Sequence, residues 1–205
     1  MKLIDETAAV FTDKLASPAP TPGGGGASAL AGAVGIALGD MVGELTVGKK
    51  KYADVEERIK ALMSEAQEIR REFLRLVDAD AEAFEPLAKA YGIPKDDPGR
   101  DTVMEGALRV GSSVPADIVR TCGRALDVIA EFAEKSSRLA VSDAGCAAVL
   151  CKAAMKAAAL NVFINTKSMK DREYAEALNA EMESLLGTYC LKADDIYAEV
   201  RESLR

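Results

Sequence analysis

The sequence predicts an all-α protein: one domain over residues 1–205, folded as a single antiparallel bundle of about six helices. Three observations predict it. The chain is 49% hydrophobic but only 5% aromatic, and alanine, leucine and straight-chain charged residues dominate it; these lose little side-chain freedom in a helix. Apolar residues recur at spacings of three and four. No run alternates with the two-residue period of a strand, and no repeat or linker divides the chain.

The first helix is expected over residues 3–15, with Leu3, Ala8, Phe11 and Leu15 near one face. The Pro/Gly segment "SPAPTPGGGG" ends it. A second helix is expected over 26–47. It carries Gly32, Gly35, Gly39 and Gly43, spaced to lie roughly along one face. Each costs about 1 kcal/mol relative to alanine in a helix interior, so the row predicts close contact with a helix, a subunit or a ligand. A third, charged helix over 52–91 carries Val55, Ile59, Leu62, Ile69, Phe73, Leu76 and Val77. A fourth covers 101–135, where Pro115 is expected to kink or divide it. A fifth runs over 142–166 with Ser142 as N-cap and Asp143 in its first turn. The sixth covers 171–204.

Composition narrows the function. The net charge is −7 and no basic arm stands out, which argues against nucleic acid as a partner. The charged N-terminus lacks the apolar core of a signal peptide. The apolar part of the second helix, from Ala27 to Asp40, falls short of the roughly 20 residues that span a bilayer. A cytoplasmic protein with no membrane partner is expected. The four cysteines, Cys122, Cys146, Cys151 and Cys190, show no metal-binding spacing and read as small buried hydrophobes. The chain has no histidine. Acid–base chemistry therefore falls to Asp, Glu, Lys, Tyr, Cys or water, and no metal site is expected.

Several stretches carry candidate chemistry. Gly23, Gly24, Gly25 and Gly26 precede a helix, where exposed N–H groups suit an anion or carbonyl; a plain turn is the alternative. Lys49, Lys50 and Lys51 end the second helix and serve either its dipole or an anionic ligand. In "LVDADAEAF", Asp78 and Glu82 share a helix face and suit proton relay or a bidentate contact; a solvated acidic face is the plainer alternative. Asp143 and Asp40 lie among small residues, where burial would raise a carboxyl toward neutrality. Asn161 and Asn165, four apart, suit hydrogen bonding to a ligand or across a subunit contact.

Taken in order, "TPGGGGASALAGAVGIALGDMVGELTVGKKKY", "LVDADAEAF", "GIPK", "SVP" and "SDAGCAAVLCKAAMKAAALNVFIN" resemble the formiminotetrahydrofolate cyclodeaminase / methenyltetrahydrofolate cyclohydrolase family. The resemblance implies an all-helical homodimer acting on a one-carbon tetrahydrofolate, possibly polyglutamylated, with no further cofactor. It implies cyclisation of 5-formiminotetrahydrofolate with release of ammonia, or alternatively hydrolysis of the 5,10-methenyl bridge to 10-formyltetrahydrofolate. A non-catalytic folate-binding protein or a helical scaffold is a weaker alternative. The expected catalytic set is Asp143, Asp40 and Asp78. The expected substrate-binding set is Gly23 to Gly26, Ser28, Lys49 to Lys51, Glu82, Asn161 and Asn165, with the lysines on the folate's glutamate carboxylates. Members usually carry serine where this chain has Gly26, so a role for that hydroxyl would shift to Ser28.

Overall fold

Six α-helices form close to where periodicity predicts them, and there is no strand among residues 2–205, which this computed structural model describes. Helix α1 (Ala8–Leu15) is shorter than expected. Leu3–Asp5 forms a separate 3-10 turn, and Thr7 caps α1 by accepting the Val10 N–H at 3.3 Å. The Leu3 N–H instead donates to Asp78 Oδ1 at 2.6 Å, tying the N-terminal segment to the third helix.

Helix α2 (Gly24–Glu44) starts earlier than expected and takes three of the four glycines into its first turn. The chain leaves it through Gly48, whose φ of +78° is the left-handed conformation that glycine adopts without strain. Helix α3 (Glu56–Tyr91) begins after a 3-10 turn at Lys50–Tyr52. Its buried stripe, Ile59, Leu62, Ala66, Ile69, Phe73, Leu76 and Val77, follows the spacing expected of a core face.

Helix α4 (Arg100–Lys135) runs through Pro115 without a break. Proline removes the hydrogen bond to the carbonyl four residues earlier, that of Gly111. Asn165 Nδ2 supplies the replacement, donating to Gly111 O at 2.9 Å. Helix α5 (Val141–Thr166) starts with Ala140 at the N-cap position, so Ser142 lies inside the first turn and does not cap. Helix α6 (Arg172–Ser203) is capped by Asp171, whose carboxylate accepts the Tyr174 N–H at 3.0 Å.

Helices α2 and α5 run antiparallel. Gly24 lies against Asn161 at one end, Gly35 against Cys151 midway, and Thr46 Oγ1 accepts the Ser137 N–H at the other end. Helix α3 flanks α2, α6 flanks α5, and α4 packs behind both. The four helix glycines lie along one buried side of α2, as expected, but meet different neighbours: Gly32 admits the Phe73 ring, Gly35 the Cys151 thiol, Gly39 Ile129, and Gly43 Met63 and Phe132. Each lets a side chain of a neighbouring helix reach the α2 backbone. The Phe73 and Phe132 rings that fill these gaps are fully buried, each contributing roughly 1.5–3 kcal/mol. Cys122 and Cys151 are buried, and burial pushes the Cys151 thiol up to about 12. Cys146 departs from expectation and is exposed. The length expectation also fails: α2, with 21 residues, and the Arg138–Thr166 segment are long and apolar enough to cross a membrane. About half of each lies inside the bundle.

Candidate active site

The first N–H groups of a helix have no partner within it. In α2 those groups belong to Gly24, Gly25 and Gly26, and the N-cap residue, Gly23, has no side chain to satisfy them. Asp80 of α3 takes one: the Gly26 N–H donates to its Oδ2 at 2.8 Å. A carboxylate at this end is favoured by the helix dipole. Burial nevertheless dominates and holds the Asp80 carboxyl above its ordinary value, with the Gly26 N–H pulling the other way.

The approach explains the glycines one by one. A Cβ on Gly25 would lie 2.0 Å from Asp80 Oδ1, and one on Gly24 would lie 2.9 Å from the Asn161 amide. A Cβ on Gly26 would first meet Val77 O at 3.4 Å, an ordinary contact, and one on Gly23 would meet nothing. Close approach thus requires glycine at 24 and 25 only. Together these groups line a cavity of about 210 Å³ at the end of the bundle. Gly23, Gly24 and Gly25 form one wall and Asp80 and Phe84 a second. Asn161 and Asn165 of α5 form a third, and Gly111 and Pro115 of α4 close it behind.

Of the residues predicted from sequence, Gly23, Gly24, Gly25, Asn161 and Asn165 meet here, and Gly26 reaches the site through its N–H. Ser28 is buried just behind and spends its hydroxyl on Gly24 O at 2.5 Å. Asp78 and Glu82 do not line this cavity. Asp78 holds the Leu3 N–H, and both border a separate surface depression with Leu3 and Asp5. Asp80 is the residue the sequence reading passed over. Its signal was legible: Phe73, Val77, Asp80, Phe84 and Leu87 fall at three- and four-residue spacing, which puts a carboxylate on an apolar stripe.

The remaining candidates lie at the opposite end of α2, about 24 Å or more away by helical rise. Asp40 is only 9% exposed, and its Oδ1 has no partner. Burial raises its carboxyl most and Glu44 adds to this, while Arg70 and Gln67 oppose it. Asp143 is half-buried in the first turn of α5. Lys49 Nζ donates to Ser137 Oγ at 3.1 Å, and Lys51 stands over the Tyr52 ring at 5.5 Å. The Arg138 N–H reaches Tyr52 Oη at 3.3 Å; that bond first, then Lys51, Ser137 and Lys49, hold the phenol below its usual value. No three His, Cys, Asp or Glu side chains are placed to hold a metal among the described residues.

Comparison with known proteins identifies the family of the chain. The family model described as "Formiminotransferase-cyclodeaminase" matches residues 7–184. The chain belongs to the formiminotransferase-cyclodeaminase family. It is 39% identical over 204 residues to a methenyltetrahydrofolate cyclohydrolase of Methylorubrum extorquens, covering 98% of both chains. It is 29% identical over 188 residues to the formimidoyltransferase-cyclodeaminase of Rattus norvegicus, covering 90% of this chain but 35% of that longer protein. The fold matches the crystal structure of a formiminotetrahydrofolate cyclodeaminase from Thermotoga maritima with a TM-score of 0.82 and 32% identity, over 97% of this chain and 96% of that one. These relatives confirm the all-helical, cyclodeaminase-like fold and the folate one-carbon family.

Proposed function

We propose that this chain hydrolyses the 5,10-methenyl bridge of a tetrahydrofolate to give 10-formyltetrahydrofolate, with Asp80 as its acid–base group. The order of the two readings made from sequence is thereby reversed. The full-length similarity to a cyclohydrolase supports hydrolysis. The observation that carries the reading is Asp80 itself, a carboxyl raised by burial and held against the N-terminus of α2.

The methenyl carbon shares a positive charge with nitrogens 5 and 10. An ionised Asp80 opposes that charge in a partly desolvated cleft, where the attraction is stronger than in water. As water adds to the carbon, Asp80 takes one of its protons. The carbon–nitrogen-5 bond then breaks and the same proton passes to nitrogen 5, while the hydroxyl left on the carbon releases its own proton to solvent and becomes the carbonyl of the formyl group on nitrogen 10. A carboxyl raised toward neutrality suits both halves of this cycle. The N–H groups of Gly24 and Gly25 point from the helix end toward substrate and suit an oxygen that gains charge. Asn161 offers its amide beside them.

Cyclodeamination is the second reading, favoured by the fold match to the Thermotoga maritima enzyme. It would use Asp80 to protonate departing ammonia. Absorbance at the methenyl band separates the two. Decay with 5,10-methenyltetrahydrofolate above the spontaneous rate is the expected result. Growth of the band with 5-formiminotetrahydrofolate alone would make the chain a cyclodeaminase. Silence with both, together with thermal stabilisation by folinic acid, would leave a binding protein.

A further inference from the structure

An amide side chain can present either its oxygen or its NH2 group to a ligand unless a neighbour decides between them. At Asn165 a neighbour decides. Pro115 lies inside α4 and has no N–H, so the Gly111 carbonyl four residues earlier lacks its partner in the helix. A carbonyl only accepts. The Asn165 amide must therefore turn Nδ2 toward it, and Nδ2 donates to Gly111 O at 2.9 Å. Oδ1 is left on the other side of the amide. Among the described residues it accepts no hydrogen bond, and it is not one of the buried oxygens without a partner. Asn165 is half-buried and lines the cavity together with Gly111 and Pro115, so the free oxygen opens on that cavity. Asn161 differs. Its Nδ2 donates to Ala157 O at 2.9 Å, a carbonyl of its own helix that the ladder already pairs. Nothing compels that amide to keep one orientation.

Opening the methenyl bridge changes the hydrogen-bonding character of nitrogen 5. In the methenyl compound this nitrogen is bonded only to carbon and carries no hydrogen. When the carbon–nitrogen-5 bond breaks, its electron pair returns to nitrogen 5, and the proton that Asp80 took from water joins it. The product thus has an N–H where the substrate has none. An acceptor for that N–H is engaged only as the reaction proceeds, so it lowers the barrier without tightening substrate binding. Resting on the hydrolysis reading above, we propose that Asn165 Oδ1 accepts the N–H that nitrogen 5 gains on ring opening. Pro115 is the positioning residue: acting through the Gly111 carbonyl, it keeps this oxygen toward the substrate. The site is therefore selective for folates that carry hydrogen on nitrogen 5. A folate substituted there leaves Oδ1 facing a group that cannot donate, and an unpaired acceptor in a partly desolvated cleft is penalised.

Tetrahydrofolate and 5-methyltetrahydrofolate are the probes, since they differ only in N–H against N–CH3 at nitrogen 5. Anaerobic calorimetry with the wild type should show tetrahydrofolate bound about tenfold more tightly, the upper range for one hydrogen bond. Asn165→Ala should abolish that preference by weakening tetrahydrofolate. Pro115→Ala gives Gly111 O a helix N–H, so it should fold at least as well as the wild type while releasing the amide. It should lose about threefold of the preference, again on the tetrahydrofolate side. With enzyme in excess over 5,10-methenyltetrahydrofolate, ring opening should slow by about the same factors in the two variants. Their KM for that substrate should stay within about twofold of wild type, a split that general loosening of the site would not give. If Asn165→Ala does not fold, the double variant Pro115→Ala, Asn165→Ala carries the same measurement, because its Gly111 carbonyl has a helical partner. Equal binding of the two probes by the wild type would overturn the proposal. So would a preference lost because 5-methyltetrahydrofolate binds more tightly, which is relief of crowding, or a Pro115→Ala protein that keeps the full preference. Turnover is read separately. A wild type that shows the preference without hydrolysis loses the hydrolysis reading and keeps the acceptor; hydrolysis without the preference does the reverse.

Discussion

The two ends of the α2–α5 pair are built from opposite materials. At the glycine end, side chains are pared away until the α2 backbone meets Asp80 and Asn161. At the lysine end, hydroxyls of Thr46, Ser137 and Tyr52 staple two loops together and leave cations in solvent. Each end also holds a carboxyl raised by burial, Asp80 at the first and Asp40 at the second. The difference lies in what surrounds that carboxyl. Asp80 opens on a cavity and faces unpaired helix N–H groups. Asp40 is enclosed by α3, with one oxygen that meets nothing. A raised carboxyl alone therefore does not mark the reacting end; a raised carboxyl that a substrate can reach does.

Asp80→Asn is expected to have the largest effect. It keeps an acceptor for the Gly26 N–H but cannot take a proton, so kcat should fall about 10²–10⁴-fold. Wild-type activity should rise with pH through a value above the usual carboxylate range, and the variant's residual rate should lose that step. The same change should raise Tm at pH 7. A carboxyl raised in the folded state favours folding most below its unfolded value near 3.8, and that advantage is lost as pH rises through the folded value. Next comes Gly25→Ala. Its methyl would fall 2.0 Å from Asp80 Oδ1, so kcat/KM should drop about 10²-fold through displacement of the carboxylate. Gly23→Ala, which meets nothing, should match wild type. If both glycine variants behave alike, close approach is not what the glycine end is built for.

Most of the fold was legible in the sequence because core faces leave a spacing signal. The stripe of α3 from Ile59 to Val77 could be read directly, as could the three- and four-residue spacing of the α2 glycines. What each glycine meets could not be read, because it depends on which helices surround α2. The site was half legible. Gly24, Gly25, Asn161 and Asn165 were named from their residue types, yet Asp80 was passed over for Asp78 and Glu82, which share a face with each other. Sharing a face shows only that two side chains are neighbours. Interrupting an apolar stripe shows that a side chain points inward, and Asp80 does that. Ser142 failed as a cap for a local reason: the 3-10 turn at Arg138–Ala140 runs directly into α5 and starts the helix one residue earlier.

Asn165 sharpens the comparison on the stability side. Asn165→Ala strands the Gly111 carbonyl that Pro115 has already left without its helical partner, and should cost about 1–3 kcal/mol. Pro115→Ala restores an N–H at that position. In the double variant the cost of losing Asn165 should shrink, giving a coupling energy of about 0.5–1.5 kcal/mol in denaturant unfolding. Simple additivity would mean that Asn165 serves the ligand and does not repair the helix.

The smallest effect is expected at Asp40, and it bears most directly on the contrast between the ends. Asp40→Asn removes a charge that burial disfavours. At pH 7, above the folded value, Tm should rise by roughly 1–3 °C, the shift that under 1 kcal/mol produces in a chain of this size. The sign follows from the raised carboxyl. Its stabilising contribution is present only below the unfolded value near 3.8 and disappears as pH climbs through the folded one, so the advantage of asparagine should close as pH falls toward 4. Turnover should stay within twofold of wild type, because Asp40 lies about 24 Å from Gly24 along α2. The two aspartates then give a clean pair of measurements: both neutral variants more stable at pH 7, one inactive and one active. If Asp40→Asn were the inactive one, burial at the lysine end would be serving chemistry, and the glycine cavity would be the structural end of the molecule.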